Sequence, residues 1–199
     1  LGALAPRRRR EHEMINDQTT LKHMDNYGKI IAPNTIRFER LLPGPIERVW
    51  AYLTESEKRA KWLASGNMDL RVGGEVDLFW LHSTLDAAPS ETPEKYACGH
   101  TMKAKITRCE PPHVLGFSWG MRAEALSEVV FELSEKGKDV LLVLTHHRLP
   151  DHKDLLGVSG GWHSHLDILV EHLNGRIAPA FWAKHDVLNA EYAVRLKGG

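Results

Sequence analysis

Cysteine is nearly absent from this chain. Cys98 and Cys109 are the only two in 199 residues, too few for a disulfide framework. On one regular strand their odd separation would point them to opposite faces. Free thiols and a reducing, cytoplasmic setting are therefore expected. Charge of one sign is not in surplus either. Lys+Arg and Asp+Glu both total 26, whereas a nucleic-acid binder needs a basic excess on one face. The one dense basic run, Arg7 to Arg10, reads as a solvated tail. No run approaches the ~20 apolar residues of a membrane span, and no apolar stretch follows the arginines as a secretory signal would require. HExxH, CxxC, GxxxxGK[ST] and GxGxxG are all missing. This removes the usual signatures of zinc, phosphate and dinucleotide chemistry. No cofactor is expected.

What remains is a run of strand-like segments closed by helices. Residues 1 to 32 lack a period and read as a disordered leader or upstream extension; 33 to 199 read as a single domain. Thr35 to Leu42 alternates as a strand, and Pro43-Gly44-Pro45 ends it. Ile46, Val49, Trp50 and Leu53 form a helical stripe. Thr54 and Glu57 suggest a capping box for a second short helix ending near Leu63. Further strands are expected at Met68–Val72, Glu75–Leu81, Ala97–Cys109, Val114–Trp119, Ser127–Ser134 and Asp139–His147. Gly73-Gly74 and Lys136-Gly137-Lys138 serve as tight turns, and 83 to 95 form a loop. Short connections make the pairing mostly antiparallel.

Gly161-Trp162 is expected to open the last strongly amphipathic helix. Trp162, Leu166, Leu169, Val170 and Leu173 make its stripe, and Asn174-Gly175 its C-cap. Phe181, Leu188, Tyr192 and Leu196 suggest a smaller terminal helix on the outside. A long helix after an antiparallel sheet buries its apolar face across the concave side. The space between such a sheet and helix suits a small apolar ligand. The fold class expected is therefore α+β, with six to seven strands around a long C-terminal helix.

Four segments carry a family resemblance. They are Ile46 to Leu53 with Trp62-Leu63; Asp69 to Gly74; Ile106 to Trp119 around Pro111-Pro112; and Leu142 to His146 followed by Gly161-Trp162 and Leu166. In this order they resemble the activator of heat-shock-protein-90 ATPase homologue-like family of the SRPBCC, or START-like, superfamily. The resemblance covers roughly residues 35 to 196 and implies a helix-grip fold with two short helices after the first strand. Its members include co-chaperone domains and lipid and polyketide binders. The family has no universal catalytic motif, so the resemblance transfers no catalytic residue.

Strand parity suggests a pocket lining. His100 and Met102 share a face with Cys98, Ala104 and Ile106. Trp80 shares one with Val76, Leu78 and His82. Phe117 and Trp119 lie together, as do Val129, Phe131 and Leu133. Trp162 and His165 come from the helix. Trp80, His100, Met102, Phe117, Trp119, Phe131, Trp162 and His165 are thus the candidate ligand-binding residues, with a filled core as the bland alternative. Twelve histidines raise the question of a metal, but none is expected. His163 and His165 diverge by about 200° on a helix and cannot chelate together. The expected partner is a small hydrophobic or aromatic molecule. The alternatives are a protein partner and a cyclase- or hydrolase-like enzyme with a His–acid pair in the pocket. Either a monomer or a homodimer fits.

Overall fold

The computed structural model describes residues 25–85, 92–120 and 126–197. The arginine run and residues 1–24 of the expected leader lie outside the described residues. The elements are β1 (Lys29–Ala32), β2 (Thr35–Pro43), α1 (Ile46–Thr54), α2 (Ser56–Arg59), β3 (Glu75–Trp80), β4 (His100–Glu110), β5 (Val114–Trp119), β6 (Ser127–Lys136), β7 (Asp139–His147), α3 (His152–Leu173) and α4 (Phe181–Arg195). Seven strands form one antiparallel sheet in the order β1-β2-β7-β6-β5-β4-β3. From β3 to β7 each strand neighbours the next, and β2 closes on β7.

The expected α+β architecture stands, but one strand differs. Met68–Val72 forms no strand beyond a single bridge, Met68 to Val76. Arg71 N–H bonds back to the Asp69 carbonyl and Gly74 N–H to that of Arg71, so the segment coils. Gly73 sits at φ +82 within that coil, where glycine alone is unstrained. The seventh strand is instead β1, inside the stretch read as leader. The folded domain therefore begins before residue 33. Arg40 explains why: only 3% exposed, it donates to the Asn26 carbonyl and pairs with Asp167 of α3 at 3.0 Å. Gly28 N–H donates to the Tyr192 hydroxyl of α4 at 2.7 Å. The chain before β1 is thus tied to both long helices.

Helix α2 also departs from expectation. It is one turn long, and Thr54 does not cap it. The Thr54 hydroxyl donates back to the Trp50 carbonyl within α1 at 2.9 Å. Arg59 does the joining instead. It is 1% exposed and donates to the carbonyls of Thr54 and Gly66. The Thr54 carbonyl ends α1, where the helix dipole is negative. Burial lowers the Arg59 pKa to about 10, so the group remains a cation. Arg59→Met should cost about 3 kcal/mol, because it leaves these buried carbonyls without a donor. Urea unfolding checks this; a loss below about 1 kcal/mol would contradict it.

Helix α3 starts nine residues earlier than its sequence suggests. Asp151 caps it, accepting from Asp154 N–H at 2.8 Å. The stripe at Trp162, Leu166, Leu169 and Leu173 is buried as expected. The middle of the helix is buried nearly all round, because α4 covers the side the sheet leaves open. Its buried hydroxyls are satisfied within the helix: Ser159 donates to the Leu155 carbonyl and Ser164 to that of Gly160. Gly160 is where α4 approaches. A Cβ there would lie 2.0 Å from Asn189 Oδ1.

Candidate functional site

A pocket of about 260 Å³ lies between β3, β4 and the end of β5 on one side and α3 with α4 on the other. Strand parity supplies Trp80, His100, Met102 and Trp119. Helix α3 supplies Gly157, Val158, Gly161, Trp162 and His165. Gly157 and Gly161 are one turn apart on the same helix face. A Cβ at either would meet nothing within 4 Å. Unlike Gly160, these two glycines leave room rather than admit a neighbour.

Six of the eight residues singled out from sequence line this pocket: Trp80, His100, Met102, Trp119, Trp162 and His165. Phe117 and Phe131 do not. They sit behind the wall, where Phe131 rests edge-on against Trp162 and Trp62, and Phe117 lies over Trp119 and Phe131. Fully buried Trp62, its indole N–H given to the Tyr52 carbonyl, fills that end of the fold. The site residues missed from sequence are Tyr96, Phe181, Trp182 and His185. The last three share the first turn and a half of α4. This helix is therefore not an outer appendage, since its N-terminal end closes the pocket. Adjacent Phe181-Trp182 with His185 four residues on was the signal available.

The wall is built of rings. Trp80 and His100 stack at 4.8 Å with planes 6° apart, and Tyr96 stacks on Trp182 at 5.0 Å. His82 lies 4.4 Å from Phe181 and 5.6 Å from His165. Trp119 and Trp162 meet at 4.9 Å. Among the described residues the lining holds no Asp, Glu, Lys or Arg. The His100, His165 and His185 imidazoles are accordingly held below their ordinary value. Burial first, then the neighbouring His82, drives His165 down to about 3, and burial lowers both His100 and His185.

Behind the wall, His146 fixes two of the tryptophans. Its Nδ1 accepts the Trp162 indole N–H at 3.0 Å. Its Nε2 lies 2.7 Å from Ser127 Oγ, which itself donates to the Trp119 carbonyl. One hydroxyl has one proton, so His146 Nε2 must be the donor. Both ring nitrogens are committed, and burial lowers the pKa to about 3. The Ser127–His146 pair is a strut for Trp119 and Trp162, not an activated nucleophile. His163 meets Asp167 at 3.5 Å, but on the side of α3 facing Tyr192. The nearest His–acid contact to the pocket is His185 with Asp186, also 3.5 Å, and that carboxylate is 80% exposed. Among the described residues no three His, Cys, Asp or Glu side chains converge as metal ligands would. No described helix is long and apolar enough to cross a membrane.

The sequence model of the family described as Activator of Hsp90 ATPase homolog 1-like protein matches residues 43–174, about two thirds of the chain. The chain belongs to this family. A Bordetella parapertussis protein solved by NMR is 45% identical, with 86% of this chain and 91% of that one covered and a TM-score of 0.73. CalU16 from Micromonospora echinospora is 24% identical over 86% of this chain and 96% of its own, with a TM-score of 0.61. A conserved protein from Enterococcus faecalis shares 17% identity over 94% and 96%, at 0.63. The last two attest the fold alone. No curated protein matches. In this Activator of Hsp90 ATPase homolog 1-like chain the α3 face of the pocket falls within the matched span. Phe181, Trp182 and His185 lie beyond it.

Proposed function

We propose that this protein binds a small hydrophobic or aromatic molecule between its sheet and helix α3. The observation that carries the reading is the pair Gly157 and Gly161. Glycine inside a helix costs roughly 0.5–1 kcal/mol relative to alanine. Here two of them line a pocket walled by aromatic rings, Gly161 half-buried and Gly157 exposed, with nothing within 4 Å of a Cβ at either. A core built only for stability would fill the space beside Gly161, since a void forfeits packing contacts. Membership of the family fits both small-molecule binders and modules of the Hsp90 co-chaperone kind. The uncharged, ring-lined pocket favours the first. Trp80, His100, Met102, Trp119, Trp162 and His165 form the proposed site, together with Phe181 and Trp182.

Native mass spectrometry of protein purified gently from its own organism tests this directly. The expected spectrum shows added mass that is lost on denaturation. A second test is Trp80→Ala. It should cost about 3 kcal/mol of stability, within the roughly 5–15 kcal/mol of a folded domain, and weaken binding at least about tenfold. A folded Trp80→Ala protein with unchanged affinity would move the site elsewhere.

A further inference from the structure

The pocket wall also carries information about the chemistry of its occupant. His165 is 6% exposed, and its Nδ1 lies 2.6 Å from the Trp62 carbonyl oxygen. A carbonyl only accepts, so Nδ1 carries the proton. A neutral imidazole has one proton, so Nε2 holds a lone pair. No hydrogen-bond partner for Nε2 is found among the described residues. The backbone of a residue far along the chain thereby sets the tautomer of a pocket histidine. His100 Nδ1 and Trp182 Nε1, by contrast, are buried without a partner among the described residues and are closed off from the pocket space. The wall therefore offers an acceptor at His165, on a surface otherwise made largely of ring faces and a thioether.

Charge is decided by what surrounds these atoms. An ionised ligand would enter a desolvated space with no opposite charge among the described lining residues, a placement that is strongly unfavourable. Size is decided by volume. About 260 Å³ falls below the roughly 300–1,000 Å³ of drug-sized sites, so one or two fused rings suit it better than a long acyl chain. Resting on the reading that this pocket binds a small molecule, we infer that its ligand is an uncharged, planar aromatic compound whose hydroxyl or ring N–H donates to His165 Nε2. A buried acceptor left unpaired by a donor-free analogue discriminates against that analogue.

Indole, its donor-free isostere benzofuran, and indole-carboxylate are the probes, compared by titration calorimetry at neutral pH. Indole should bind roughly tenfold more tightly than benzofuran, as one hydrogen bond to a buried acceptor predicts. Indole-carboxylate should bind most weakly. His165→Phe should retain benzofuran and erase the preference for indole. The wild-type ratio is informative by itself, so a poorly folded variant leaves the test intact. Equal affinities for indole and benzofuran would overturn the inference while leaving the pocket as a binding site. Tightest binding of the carboxylate would overturn the requirement for a neutral ligand. Binding of none of the three would overturn both this inference and the functional reading beneath it.

Discussion

Gly161→Leu is expected to make the protein more stable while sharply weakening ligand binding. Removing a glycine from the interior of α3 contributes roughly 0.5–1 kcal/mol. A leucine side chain entering open space adds part of the roughly 1.5–3 kcal/mol of full burial. For a chain this long, each kcal/mol raises the melting temperature by roughly 2–4 °C. The same side chain occupies the room beside Trp162 that a ligand would need. Affinity should fall on the order of 100-fold, equivalent to about 2.7 kcal/mol. Gly160→Ala is the control one residue away. Its Cβ would lie 2.0 Å from Asn189 Oδ1, so the Asn189 side chain must turn aside and the gain from filling open space is absent. Calorimetric melting of the two variants, with binding measured on the first, settles the matter. A destabilised Gly161→Leu protein would mean that the space is not there.

Acid should unfold this protein well above the range in which most carboxylates protonate. His146, His163 and His165 are buried and neutral, with pKa values lowered by desolvation to about 3, about 4 and about 3 from an ordinary 6.5. Below pH 6.5 the unfolded chain takes up protons that the native protein refuses. Stability is therefore full above that pH and lost as pH falls toward about 4, each histidine contributing up to about 1.4 kcal/mol per pH unit. Three together approach about 4 kcal/mol per unit, against a total of roughly 5–15 kcal/mol. Urea midpoints measured from about pH 7 down to about pH 4 should drop steeply over that window. A flat profile would contradict the burial of these rings. Ligand affinity of the native protein should stay level over that window, because folded His165 keeps its lone pair until pH approaches about 3.

Much of this architecture was legible because buried strands alternate. On β4, Met102, Ala104 and Ile106 are buried while Thr101, Lys103 and Lys105 are exposed, which is the pattern parity predicts. Where alternation carried no burial the reading failed. All four residues of β1 are exposed, so nothing in Lys29–Ala32 distinguishes it from coil; backbone pairing with β2 holds it. Met68–Val72 has the opposite defect. Its composition alternates, but Leu70 and Val72 are 40% and 65% exposed and face no core. The early start of α3 was hidden by Gly157, Gly160 and Gly161. Glycine lowers helix propensity, and each of these is explained only by what lies, or does not lie, across from it. The fourth wall of the site was missed for a similar reason. Phe181 and Trp182 are neighbours in sequence, and adjacent residues do not share a single helical stripe. Trp182 reaches the pocket because α4 packs against α3 there, a tertiary fact with no local signature.

Three of the wall's tryptophans form a continuous run. Trp80 lies 5.5 Å from Trp119 at 76°, and Trp119 lies 4.9 Å from Trp162 at 51°. Indoles this close and this inclined share their electronic excitation, which splits their intense far-ultraviolet band into a couplet of opposite signs in circular dichroism. The couplet depends on the mutual angles of the rings, so an occupant that turns any one of them changes its shape. The protein thus carries an optical gauge of its own interior, readable without a label and without knowing in advance what has entered.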